Sequence, residues 1–104
     1  MSDLTQQLPL TIPTAEIAAF CRRHHICQLA LFGSVLRNDF GPNSDVDVLV
    51  EFEPGVAIDL LAFARVQREL SELFQRPIDL VTRDGLKPLI KQTVLADAEV
   101  IYAV

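Results

Sequence analysis

Residues 31–52, LFGSVLRNDFGPNSDVDVLVEF, decide the reading of this chain. They pass from an apolar run through Gly33 and Ser34, cross a stretch of turn-forming residues (Gly41, Pro42, Asn43), and enter a segment that opens on Asp45 and Asp47. In that segment Val46, Val48, Val50 and Phe52 alternate with Asp45, Asp47, Leu49 and Glu51. A period of two predicts a strand over residues 45–52 with one apolar face. Residues i and i+2 of a strand project to the same side, so the two carboxylates stand together, with Cα atoms about 6.5 to 7 Å apart. Neighbouring carboxylates repel and raise at least one pKa unless a cation sits between them.

The flanking sequence supplies the frame. From Thr14, a candidate N-cap after Pro13, the apolar residues Ile17, Phe20 and Cys21 keep helical spacing to about His24. Gln28 to Phe32 is a short apolar run ended by Gly33 and suits a buried strand. Beyond Pro54 and Gly55, the residues Leu60, Phe63, Val66, Leu70, Leu73 and Phe74 recur at steps of three and four, with Arg65, Arg68, Glu69 and Glu72 on the other side. Pro77 to Thr82 reads as a third strand, residues 87–95 as a helix with Pro88 in its first turn, and Glu99 to Tyr102 as a final strand. Strands and helices in this order predict an α/β (α+β) fold, a mixed sheet flanked by helices. Residues 1–12 read as a flexible N-terminal lead and residues 13–104 as the domain.

Composition narrows the function. A chain of 104 residues, 50% apolar with a net charge of −5, fits one compact domain burying about 60 to 65% of its unfolded surface. The acidic balance argues against non-specific nucleic-acid binding, which needs Lys and Arg to neutralise phosphates. It leaves room for a nucleotide arriving with divalent cations, which acidic side chains attract. The N-terminus lacks the basic and apolar regions of a signal peptide, and no run reaches membrane-spanning length, so a cytoplasmic location is expected.

Hard oxygen ligands favour Mg2+ or Mn2+, and Mg2+ commonly takes one or two carboxylates plus waters and substrate phosphates. A third carboxylate comes from RPIDLVT, where Ile78 and Leu80 share the apolar face and Asp79 points the other way. Three strand-borne acids can hold a pair of metals that activate an attacking oxygen and stabilise a leaving one. Gly33 lets the backbone approach a phosphate, Ser34 offers a hydroxyl, and Arg37 is the nearest fixed positive charge. With Ser44 at the close of the loop, these residues form the candidate nucleotide-holding set.

Gly33-Ser34, ten residues, then Asp45-x-Asp47, followed by PIDLVT, resembles the DNA polymerase β-like nucleotidyltransferase superfamily, in the form of its minimal members. The resemblance spans about residues 14–102. It implies that Asp45, Asp47 and Asp79 bind two Mg2+ ions, or Mn2+ in their place, and that Gly33 and Ser34 hold the triphosphate. It further implies transfer of AMP from ATP to a hydroxyl, and a role as the antitoxin paired with a HEPN-domain toxin, a ribonuclease whose tyrosine accepts the AMP, in a hetero-oligomer. The chain departs from the common pattern at Leu36-Arg37-Asn38, where many relatives place a small residue before the arginine and a glycine after it.

Two other readings compete with this one. A binding module could neutralise its partner by occlusion without using the acids, and transfer to a small molecule such as an aminoglycoside would call for an acceptor domain that 104 residues do not hold. Cys21, His24, His25 and Cys27 gather four metal-ligand residues within seven positions, yet their spacing matches no common zinc site. Arg76, Arg83, Lys87 and Lys91 cluster around the third strand and the helix after it, either as solvated charges or as steering groups.

Overall fold

The computed structural model describes residues 12–36, 41 and 44–104. The expected lead, residues 1–12, therefore lies outside the described residues except for Ile12. In chain order the elements are α1 (Thr14–Arg23), β1 (Ile26–Phe32), a 3-10 turn (Gly33–Leu36), β2 (Val46–Phe52), α2 (Leu60–Phe74), β3 (Ile78–Thr82), a second 3-10 turn (Arg83–Gly85), α3 (Pro88–Asp97) and β4 (Glu99–Ala103). The strands form one mixed sheet in the order β3-β2-β1-β4. β1 pairs antiparallel with both β2 and β4, while β2 and β3, joined through α2, run parallel.

The period-two segments do what their pattern predicts. Val46, Val48 and Val50 of β2, with Ile78 and Leu80 of β3, pack into a core completed by Ile17, Phe20 and Cys21 of α1 and Val66, Leu70 and Phe74 of α2. Each large side chain taken fully from water contributes roughly 1.5 to 3 kcal/mol before entropy is counted. The opposite face of the sheet carries Asp47 and Asp79 toward one end and is covered more loosely toward the other. There Ala30, Leu49, Val100 and the α3 residue Leu95 surround a cavity of about 70 Å³, and α3 buries none of its side chains.

Local differences from the expected pattern have physical causes. Pro13, not Thr14, occupies the N-cap of α1, and no side chain caps that end; Thr14 is the first helical residue. Leu60 begins the apolar stripe of α2 but is 82% exposed, because the first turn starts at the Asp59 cap, ahead of the turns whose Val66, Leu70 and Phe74 meet the core. Asp59 accepts a hydrogen bond from the Ala62 N–H at 2.8 Å, satisfying one of the donors a helix start leaves open. At the other end Gln75 takes the left-handed conformation, and the chain turns sharply into β3.

Candidate functional site

The site is built where β1 ends, β2 begins and β3 runs beside it. Register brings Asp47 directly opposite Phe32 on β1 and opposite Asp79 on β3. Parallel neighbours lie about 4.8 Å apart, so the two carboxylates leave the same face of adjacent strands as a pair. Asp79 is exposed and Asp47 half-buried. Asp45, also exposed, stands two residues earlier and just before the strand.

Gly33 follows Phe32 and explains its own identity. Its φ of +79° lies in the left-handed region, and a Cβ added there would overlap Asp47 Oδ2 and stand 3.0 Å from Asp47 Cγ. The missing side chain is the space that the Asp47 carboxylate fills. Ser34 continues the 3-10 turn, its side chain lying outside the described residues, as does all of Arg37. Ser44 is engaged in the loop itself. Its Oγ accepts from the Gly41 N–H at 3.0 Å, while its N–H donates to the Gly41 carbonyl at 3.1 Å, and the hydroxyl proton is left available to a further acceptor.

Sequence reasoning named Arg76 only as one of a basic cluster and missed the hydrogen bonds that brace Gly41 and the start of β2. A guanidinium N–H of Arg76 donates to the Gly41 carbonyl, and Val46 N–H donates to the Pro77 carbonyl at 2.9 Å. Gln67 reaches from α2 to accept the Leu80 N–H at 3.1 Å, steadying β3 beside Asp79. None of these has a local signal, since the Arg76 to Gly41 bond joins positions 35 residues apart.

The cysteine and histidine cluster disperses. His24 Nε2 donates to Glu69 Oε1 at 2.9 Å, and Arg23 lies 3.6 Å from the same oxygen. His25 faces Glu53 across 3.8 Å, and the Cys27 thiol donates to the Phe52 carbonyl at 3.6 Å. Burial pushes the Cys21 thiol up to about 12; burial, with Glu51 and Glu53 nearby, also raises Cys27. The thiolate form is thereby disfavoured at both positions. Of the basic cluster, Arg83 sits 3.7 Å from Glu51.

Among the described residues no three His, Cys, Asp or Glu side chains close on one point to cage an ion. The three aspartates reach one end of the sheet without forming such a cage. Their chemistry still fits a hard divalent cation, which binds few carboxylates and fills its shell with water and phosphate oxygens. Among the described residues no helix is long and apolar enough to cross a membrane.

Comparison with known proteins shows the family and the fold. The model of the nucleotidyltransferase domain matches residues 15–101. The protein adenylyltransferase MntA of Thermococcus cleftensis is 35% identical over 102 residues, covering 98% of this chain and 99% of that one. A solved structure named for a minimal nucleotidyltransferase is 35% identical and superposes with a TM-score of 0.67, covering 82% of this chain and 85% of its own. A toxin-antitoxin structure with AMP-PNP shares the fold at a TM-score of 0.70 and 20% identity, covering 89% of this chain and 75% of that one.

Proposed function

Since the chain belongs to the nucleotidyltransferase domain family, we propose that it transfers AMP from ATP to a tyrosine hydroxyl of a HEPN-domain ribonuclease toxin, as the antitoxin of that pair. The observation that carries this reading is the in-register pair Asp47 and Asp79 beside a glycine whose absent side chain makes room for a carboxylate. The names of the relatives support adenylyl transfer, and the toxin-antitoxin structures of the same fold support the partner. The cytoplasm, where ATP is abundant, is the setting this reaction needs.

Asp45, Asp47 and Asp79 would hold two Mg2+ ions, which when bound polarise the α-phosphate and make the acceptor hydroxyl a better nucleophile. Gly33 and Ser34, on the turn against Asp47, would receive the triphosphate through backbone N–H groups, with Arg37 and Ser44 as further holding groups. The acceptor oxygen bonds to the α-phosphorus as the bond to pyrophosphate breaks. Asp79, the more exposed of the strand pair, would take the hydroxyl proton.

The test is incubation with labelled ATP, Mg2+ and the HEPN-domain toxin. Label on the toxin is expected with the unsubstituted chain and none with Asp45→Asn plus Asp47→Asn. No label with the unsubstituted chain, together with equal neutralisation by the double variant, would replace this reading with neutralisation by occlusion.

A further inference from the structure

We infer that Arg76 is a positioning residue that holds Asp45 in place through the carbonyl of Gly41, an inference that rests on the metal-binding role proposed for the three acids. The three are not held alike. Asp47 and Asp79 are locked by the ladder, each opposite the other and Asp47 also opposite Phe32. Asp45 precedes β2 and has no ladder partner among the described residues. Its backbone position depends on what fixes the chain on either side.

Both fixings come from residues 76 and 77. Upstream, Ser44 is tied to Gly41 by two reciprocal hydrogen bonds, and the Arg76 guanidinium grips the Gly41 carbonyl. Downstream, the Pro77 carbonyl accepts from Val46. Asp45 lies between these two points, and Asp79 follows Arg76 by three residues in the same chain segment. One short stretch therefore sets the first acid against the third.

The stretch is itself anchored. Arg76 N–H donates to the Ser71 carbonyl at 3.2 Å, and the Ser71 hydroxyl donates to the Arg76 carbonyl, tying it to the last turn of α2. A charged donor to a carbonyl is among the stronger hydrogen bonds, and a planar guanidinium loses less freedom in making it than an ammonium does. Groups hydrogen-bonded directly to metal ligands typically matter by about 10- to 100-fold in affinity or activity, and a brace that acts through the backbone falls at the lower end of that range.

The experiment compares the full chain with Arg76→Ala, Arg76→Lys and Ser71→Ala. Mn2+ binding with a non-hydrolysable ATP analogue is followed by electron paramagnetic resonance, alongside AMP transfer to the toxin and thermal unfolding. Arg76→Ala should weaken Mn2+ binding about 10-fold and lower kcat more than it raises the KM for ATP. Arg76→Lys should recover part of both losses, and Ser71→Ala, in which the Arg76 N–H keeps its bond to the backbone carbonyl, should lower the unfolding temperature with a much smaller Mn2+ defect. Normal Mn2+ binding by Arg76→Ala would overturn the inference, as would an equal defect in Ser71→Ala or losses matching only the unfolded fraction. Should Arg76→Ala fail to fold, Arg76→Lys decides alone, unchanged Mn2+ binding and kcat counting against the inference. Failure of the unsubstituted chain to bind Mn2+ with the analogue would overturn the metal site as well.

Discussion

The two faces of β2 and β3 make opposite demands on the same backbone. On one, Val46, Val48, Val50, Ile78 and Leu80 are buried against α1 and α2. On the other, Asp47 and Asp79 stand side by side, an arrangement that costs free energy through like-charge repulsion. The core face supplies the rigidity with which the acid face is held together. Stability and chemistry should then respond separately to substitutions on the two faces.

Leu70→Ala, on the core side, should have the largest effect, a loss of about 2 to 5 kcal/mol read as a lower urea midpoint. Transfer per folded molecule should stay unchanged; a drop would break the separation of the faces. Gly33→Ala attacks the acid face. It forces a Cβ into the Asp47 carboxylate, and with reacting groups misplaced by about 1 Å transfer should fall about 100-fold. The left-handed backbone adds about 1 to 2 kcal/mol of strain, visible in a thermal melt; near-normal transfer would mean that the carboxylate has room the structure does not show.

The smallest effect lies away from both faces. The His24 hydrogen bond, helped by the charges of His24 and Arg23, holds Glu69 below its ordinary value of 4.5. As pH falls through 4.5 the unfolded carboxylate takes up its proton before the folded one does. The clasp between the end of α1 and α2 therefore stabilises the fold above that pH and loses its contribution as pH drops through the lowered folded value. Glu69→Gln should flatten this part of the urea midpoint against pH. Because Glu69 is about a third exposed, the change should be small.

Much of this architecture is legible in the sequence alone. The stripe from Phe63 to Phe74 marks α2, and alternation places Asp47 and Asp79 on one face, because local periodicity alone determines which way a side chain points. The strand order is not legible, since β1 reaches its place between β2 and β4 through pairings distant in sequence. Arg76 looks like any surface cation beside Pro77. Its partner, a backbone carbonyl, leaves no mark on sequence. Gly33 suggests close backbone approach, yet only the fold shows that the approaching group is the carboxylate of Asp47.

The register of β2 against β3 also acts as a form of proofreading. A slip of one residue would turn the acids toward the helices and the valines toward water, destroying the core along with the site. A miswired molecule of that kind cannot persist as a folded one, and proteases that clear unfolded chains remove it. Assembly errors on the acid face are thereby converted into folding errors, and chains that survive in the folded state carry their two strand aspartates correctly paired.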